Sequence, residues 1–339
     1  MKSENEYVAE EIRESGFPLE IEIAEVLEAH GWEVLPSTFY YDYDNDEFKE
    51  IDLLAYKSVA KSLKDSPNYP YAITMGLIIE CKKRQNVAWI FFPRPRDPTD
   101  IDYSGIGLAA IDSLQVAKLS SFKALSSLPV LDRLDSTLKP KAFVQLAIAR
   151  ELWGAHQLGL VEARDFRCLS IEEKSLSYDV VKLTKRQKRF DRDSERKQIY
   201  SVLSGLAKAV EERLVKEAEM LQTLLEGALD DHIVRLHPHL RQFRLDYFFP
   251  VLILDGKLKA WRKGTVTDVD EILHKVSLRS KNYFHDRLVS VVTRRHFDKW
   301  FTQFEMDANA LIQKIVNQRG KLDRQVELLE KNRIKTDMS

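Results

Sequence analysis

The chain has 339 residues, 44% hydrophobic and 31% charged, proportions that exclude a disordered or membrane-embedded polypeptide and suit a globular one. Its 52 Lys and Arg nearly balance its 53 Asp and Glu, which excludes a uniformly basic nucleic-acid binder and leaves any phosphate contact to a local patch. Two cysteines, Cys81 and Cys168, exclude a disulfide framework, and no CxxC pair suggests zinc.

Taken in chain order, MKSENEYVAEEIRESG is charged throughout, unlike a secretory signal. From Pro18 to His30, Leu19, Ile23, Val26 and Leu27 follow helical spacing, and Gly31 is a plausible stop. WEVLPSTFYYD, EIDLLAYKSVA and AITMGLIIECKK then read as three strands. The segments between them, acidic DYDNDE and turn-forming DSPNYP, are short enough for an antiparallel meander. NVAWIFFPRPRDP holds a short apolar run closed by three prolines; residues 105–128 look helical; KAFVQLAIARELWGAHQLG suits a strand or a helix equally.

Lys182 to Lys197 form a basic polar stretch expected as a linker or exposed loop. The strongest helical pattern follows, Ile199 to Leu225, apolar at threes and fours over about eight turns. DYFFPVLILDGKLKAW reads as two strands joined by a hairpin at Asp255-Gly256. RLVSVVTRRHF is a further strand, leading into the helix KWFTQFEMDANALIQKIV and a charged helical tail. The apolar run YFFPVLIL is far too short to span a bilayer, and a reducing, cytoplasmic setting without a membrane is expected.

The chemistry rests on a few charges set into apolar strands. Asp52 interrupts EIDLLAY, while Glu80 and Lys82 close GLIIECKKR, two residues apart and so on one face of an extended chain. The charges could mark nothing more than a strand ending in water. On adjacent antiparallel strands, however, Asp52 and Glu80 would come close together. Two such carboxylates repel unless a cation stands between them, which calls for a hard divalent metal, best Mg2+, with Mn2+ able to substitute. Lys82 could then act on a metal-bound water and offset phosphate charge, as phosphodiester hydrolysis requires. Glu20 lies beside the buried stripe of the first helix, although Glu22 and Glu25 share that helix and a solvated face is its ordinary fate.

This ordered set, a helical Glu20, a strand Asp52 and a strand Glu80-Cys81-Lys82, resembles the PD-(D/E)xK nuclease superfamily, as does the passage from Glu20 through Gly31-Trp32 to Val34. Ile51 stands where the family's name has proline. The resemblance covers about the first ninety residues. It implies a restriction-endonuclease-like α/β fold, a mixed sheet flanked by helices, with a helical insertion and a C-terminal helix. On that basis residues 1–104 begin the core, 105–194 form an insertion with a basic loop, 195–300 supply a long helix and later strands that complete the core or else form a separate domain, and 301–339 are a helical tail. It further implies that Asp52, Glu80 and the backbone carbonyl of Cys81 hold the metal, that Lys82 acts on the nucleophilic water, and that Glu20 supports the site.

Other motifs carry less. A second ExK-like run, Glu172-Glu173-Lys174, has no preceding strand and reads as a solvated helix start. Asp42-Tyr43-Asp44-Asn45-Asp46 has Glu47 where a calcium loop needs Gly, so a solvated hairpin tip is expected. His232, His237 and His239 straddle a proline and suit a surface turn. Cys81 would point away from Glu80 and Lys82 as a buried structural thiol. No GxxxxGK[ST] loop is present.

Lys83, Arg84, Lys185, Arg186, Arg294 and Arg295 could contact a nucleic-acid backbone or could be solvated. The expected activity is that of a metal-dependent DNA endonuclease, DNA preferred over RNA, with a homodimer through the long helices as a further possibility. The rival is a non-catalytic nucleic-acid- or protein-binding chain that keeps the fold.

Overall fold

The computed structural model describes residues 3–61, 71–95, 106–110, 173–183, 191–227, 243–280 and 286–317. Its elements are α1 (Glu4–Glu14), α2 (Phe17–Ala29), β1 (Glu33–Asp42), β2 (Glu47–Lys61), β3 (Tyr71–Pro95), β4 (Ile106–Ala110), β5 (Glu173–Lys182), α3 (Arg192–Gly227), β6 (Phe243–Arg262), β7 (Thr265–Asp268), β8 (Glu271–Ser277), β9 (Asp286–Thr293) and α4 (Arg294–Asn317). The nine strands belong to one mixed sheet, so the architecture is α/β. No helix among the described residues is long and apolar enough to cross a membrane.

Strand β3 is the axis of this sheet. One edge pairs in parallel with β6 over most of its length. The opposite edge is shared: Tyr71 to Ile79 pair antiparallel with β2, and Val87 to Pro95 pair antiparallel with β5. β1, β2 and β3 therefore form an antiparallel meander. β6 in turn pairs in parallel with β9, and β8 joins β9 in antiparallel fashion.

The alternation of side chains along these strands divides the interior into two cores. On one face, Leu77 and Ile79 of β3 with Phe249, Val251 and Ile253 of β6 pack against Leu19, Ile23 and Leu27 of α2 and Phe297, Phe301 and Phe304 of α4. On the other, Ile78 of β3 with Phe248, Leu252 and Leu254 of β6 pack against Ile199, Leu203, Leu206 and Val210 of α3. β6 is covered on both sides in its middle, which is why Phe248 to Leu254 are apolar without interruption rather than alternating. The apolar stripes of the helices are spaced to lie on such faces.

Polar contacts fix how the helices sit. Glu305 of α4 accepts hydrogen bonds from Trp32 Nε1 at 3.2 Å and Lys57 Nζ at 3.0 Å and meets His30 Nδ1 at 2.7 Å, locking α4 to the corner between α2 and β1. Gly31 at that corner has φ 75°, a conformation that costs a glycine little. On the opposite face, Arg287 of β9 forms a buried ion pair with Glu211 of α3. Asp42, expected at a solvated hairpin tip, is 1% exposed. It accepts from Lys208 Nζ at 2.9 and 3.0 Å and pairs with Lys49 at 3.1 Å. Burial opposes its charge, but the bonds from Lys208, Lys49 and Asn45 hold its pKa down at about 2. The turn is thus anchored to α3 by charge.

Several sequence expectations need correction. The hairpin expected at Asp255-Gly256 does not form, because β6 runs straight through it. Gly256 is small for another reason: a Cβ there would lie 2.5 Å from the Arg84 carbonyl oxygen, where the β3–β6 register shifts. The actual reversal is at Lys263-Gly264, both at positive φ (47° and 87°), as a tight hairpin requires. The run NVAWIFF is the second half of β3, not a separate element.

Ile106–Ala110, expected as helix, is strand β4 on the edge of β6. Glu173 and Lys174 open strand β5 rather than a helix. Of the stretch Lys182 to Lys197, Lys182 ends β5 and Arg192 to Lys197 begin α3, while residues 184–190 lie outside the described residues. Position 300 falls inside α4, whose Phe301, Phe304, Ala308 and Ile312 are core residues, so these four do not belong to a tail. α1, opened by a capping box between Ser3 and Glu6, was not expected from its charged sequence, and its Tyr7, Val8 and Ile12 are exposed. Cys168, the three clustered histidines, and most of the expected insertion lie outside the described residues.

Replacing Gly256 by Ala forces the Arg84 carbonyl to move, and we expect a loss of about 1–3 kcal/mol, measured as a lower urea midpoint with unchanged slope; an unshifted midpoint would contradict the close approach.

Candidate active site

The site forms where the β2–β3 ladder ends. Its last pair is Leu53 with Ile79. One residue further, the Asp52 side chain takes over from the backbone: Cys81 N–H donates to Asp52 Oδ2 at 2.6 Å. The distortion reaches the neighbouring strand, because Ser37 of β1, between the pairs Pro36–Leu53 and Thr38–Ile51, has φ 49°, uncommon for a residue with a Cβ. Between Ile79 and Val87, β3 pairs with neither β2 nor β5 on this edge, and Glu80 and Lys82 lie in that interval.

Lys82 Nζ donates to Glu80 Oε2 at 2.6 Å and to Asp52 Oδ2 at 3.4 Å. The three side chains are mostly buried, 27% exposed for Lys82, 19% for Asp52 and 12% for Glu80. The Glu80 carboxyl is raised to about 7: burial is the largest cause, Lys82 opposes it, and Asp52 and Glu20 add to the rise. The Glu20 carboxyl on α2 is also raised, first by burial, then by Asp52 and Glu50, against the pull of Lys82. Burial would lower Lys82, but the attraction of Glu80 and Asp52 prevails and raises it, so at neutral pH its amine is an ammonium. Carboxylates thus outnumber the one lysine set among them.

All four expected site residues therefore share one electrostatic environment, with Asp52, Glu80 and Lys82 in direct contact. Cys81 turns its side chain to the other side, into the core beneath α2 and α4. Burial and the surrounding carboxylates push its thiol well above the ordinary range, leaving it unreactive. Glu50 was not singled out from sequence; its spacing of two from Asp52 on one strand is the signal that would have found it.

The donor set fits a hard divalent cation. Mg2+ uses one or two carboxylates and retains several waters, and Asp52 with Glu80 supply two on a strand end carrying surplus negative charge. Among the described residues no three Asp, Glu, His or Cys side chains converge enough to hold a metal, so Glu20 is not a direct ligand in this arrangement. The Cys81 carbonyl is the backbone oxygen that the strand would add.

Of the basic residues expected near nucleic acid, Arg84 is held by Gln198 and lies 3.9 Å from Glu195, both on α3. Arg294 bonds Glu22 at 2.7 Å and Asp298 at 3.1 Å, and Arg295 bonds Asp270 at 2.7 Å. These three guanidinium groups brace elements against each other. Lys83 is half-buried beside the site; Lys185 and Arg186 lie outside the described residues. No family model, curated protein or solved structure matches this chain.

The raised Glu80 pKa has a consequence for stability. The folded state holds that proton more tightly than the unfolded chain, so its contribution is complete below pH 4.5, the ordinary value, and is lost as pH rises through about 7. Glu80→Gln should therefore gain about 2–3 kcal/mol over the wild type at pH 8 in EDTA and little at pH 4.5, read by urea unfolding; an equal effect at both pH values would show that Glu80 is not strained.

Proposed function

We propose that this chain hydrolyses phosphodiester bonds of nucleic acid, DNA before RNA, with Mg2+ as cofactor. The observation that carries this reading is the joining of Asp52, Glu80 and Lys82 through one ammonium, within reach of the Glu20 charge, on the interval of β3 that neither β2 nor β5 pairs. The order of these residues in the chain, which resembles PD-(D/E)xK nucleases, agrees with it.

In this account Asp52 and Glu80, with the Cys81 carbonyl, would hold the ion. Mg2+ bound there supplies Lewis acidity and positive charge at the scissile phosphate. Lys82 is charged and hydrogen-bonded, so its contribution is to position the attacking water and offset charge on the phosphate, not to remove a proton. Glu20, raised by burial and by Asp52 and not among the ligands, is the carboxylate left to take up the proton that the attacking water gives up. Water attacks phosphorus, the bond to the leaving oxygen breaks, and that oxygen takes up a proton.

One observation favours the rival role of a non-catalytic binder: Lys82 already spans both carboxylates, the arrangement of a purely structural ion cluster. Nicking of supercoiled plasmid decides between them. We expect nicking with Mg2+ or Mn2+ that falls about 100-fold or more in Asp52→Asn and Lys82→Met. Absence of nicking by the wild type, with DNA binding equal in wild type and variants, would overturn the enzyme and leave the binder.

A further inference from the structure

A second cleft lies far from Asp52 and Glu80. β5 and β8 meet at a single parallel pair, Ser175 with His274, and beyond it they part. The slot between them, about 410 Å3, is lined by Tyr178 of β5, Tyr200 of α3, His274 and Lys275 of β8, and Arg279 just beyond the end of β8. Along β3, Phe91, which touches His274, is nine residues from Lys82, about 30 Å of extended chain. The cleft and the carboxylate site are separate places.

The walls of this cleft have a distinct chemistry. His274 is 4% exposed, and its Nδ1 has no hydrogen-bond partner, an unfavourable condition for a buried polar group. Its ring is fixed edge-on by Phe91 and Tyr178, with centroids at 5.3 and 5.4 Å. Burial holds its pKa near 4, so it is a neutral donor and acceptor at neutral pH. Tyr200 is 56% exposed at the mouth, and Lys275 and Arg279 add positive charge there. Aromatic faces for stacking, an unmatched buried ring nitrogen, and cations at the entrance are complementary to one ligand class: a planar heteroaromatic base carrying a phosphate.

We infer that the Tyr178–Tyr200–His274 cleft binds a nucleotide, the base between the aromatic rings and against His274, the phosphate toward Lys275 and Arg279. The proposed function enters only as the source of that nucleotide, one unit of a nucleic-acid strand rather than a free monophosphate.

The test is fluorescence titration of the full chain, in EDTA, with deoxynucleoside 5′-monophosphates, the corresponding nucleosides, and a five-nucleotide single strand. Saturable binding is expected, weakened about tenfold by His274→Phe, which keeps the ring volume and removes both nitrogens. Arg279→Ala should weaken the monophosphate about tenfold and leave the nucleoside unchanged. Arg279 is exposed, so this variant remains informative even where His274→Phe fails to fold. Either order of affinity between strand and monophosphate upholds the nucleotide site and identifies which source fills it. No saturable binding, or binding indifferent to both substitutions, overturns the inference. Because binding is read in EDTA, where no cleavage takes place, failure of cleavage and failure of this site are told apart.

Discussion

The structure turns on buried charge that one lysine only partly compensates. Asp52, Glu80 and Glu20 gather at the end of the β2–β3 ladder around Lys82. Bringing carboxylates together in a half-buried place is unfavourable, and the raised pKa of Glu80 and Glu20 is the direct expression of that cost. Such strain persists only where the surroundings hold the groups in place. Here the holding is strong: β3 is paired to β6 on one side, and both faces of the sheet are covered by helices.

Each layer contributes to that rigidity. α2, which carries Glu20, is seated by Leu19, Ile23 and Leu27 and braced at its far end by α4 through the Glu305 contacts with His30 and Trp32. α3 closes the opposite face and is clamped at the β1–β2 turn by Asp42 with Lys208, and to β9 by Glu211 with Arg287. Arg84, adjacent to the site, joins the same helix through Gln198. Among the described residues these ion pairs fix elements to one another, whereas in the Asp52–Glu80–Lys82 cluster charge is crowded instead of matched.

Much of this was legible in the sequence because local signals and tertiary demands agreed. The apolar spacing of Leu19, Ile23 and Leu27, the three strands of the meander, and the alternation that separates Cys81 from Glu80 and Lys82 all follow from the 3.6 and 2.0 periods. The failures have physical causes. Asp255-Gly256 looks like a turn because Gly usually supplies positive φ, whereas here it makes room for a crossing carbonyl. Asp42 looks solvated because nothing local reveals Lys208, more than 160 residues away. β5 carries charge and is defined by its pairing with β3, distant in sequence, and the cleft between β5 and β8 has no sequence motif at all.

The most direct measurement of the central claim is calorimetric titration with Mg2+ at pH 7 in two buffers of different ionisation heat. With Glu80 titrating near 7, ion binding should displace about half a proton per site, and Glu80→Gln should abolish both the binding and the displaced proton. Binding that survives Glu80→Gln with no proton released, or no binding to the wild type, would contradict the account.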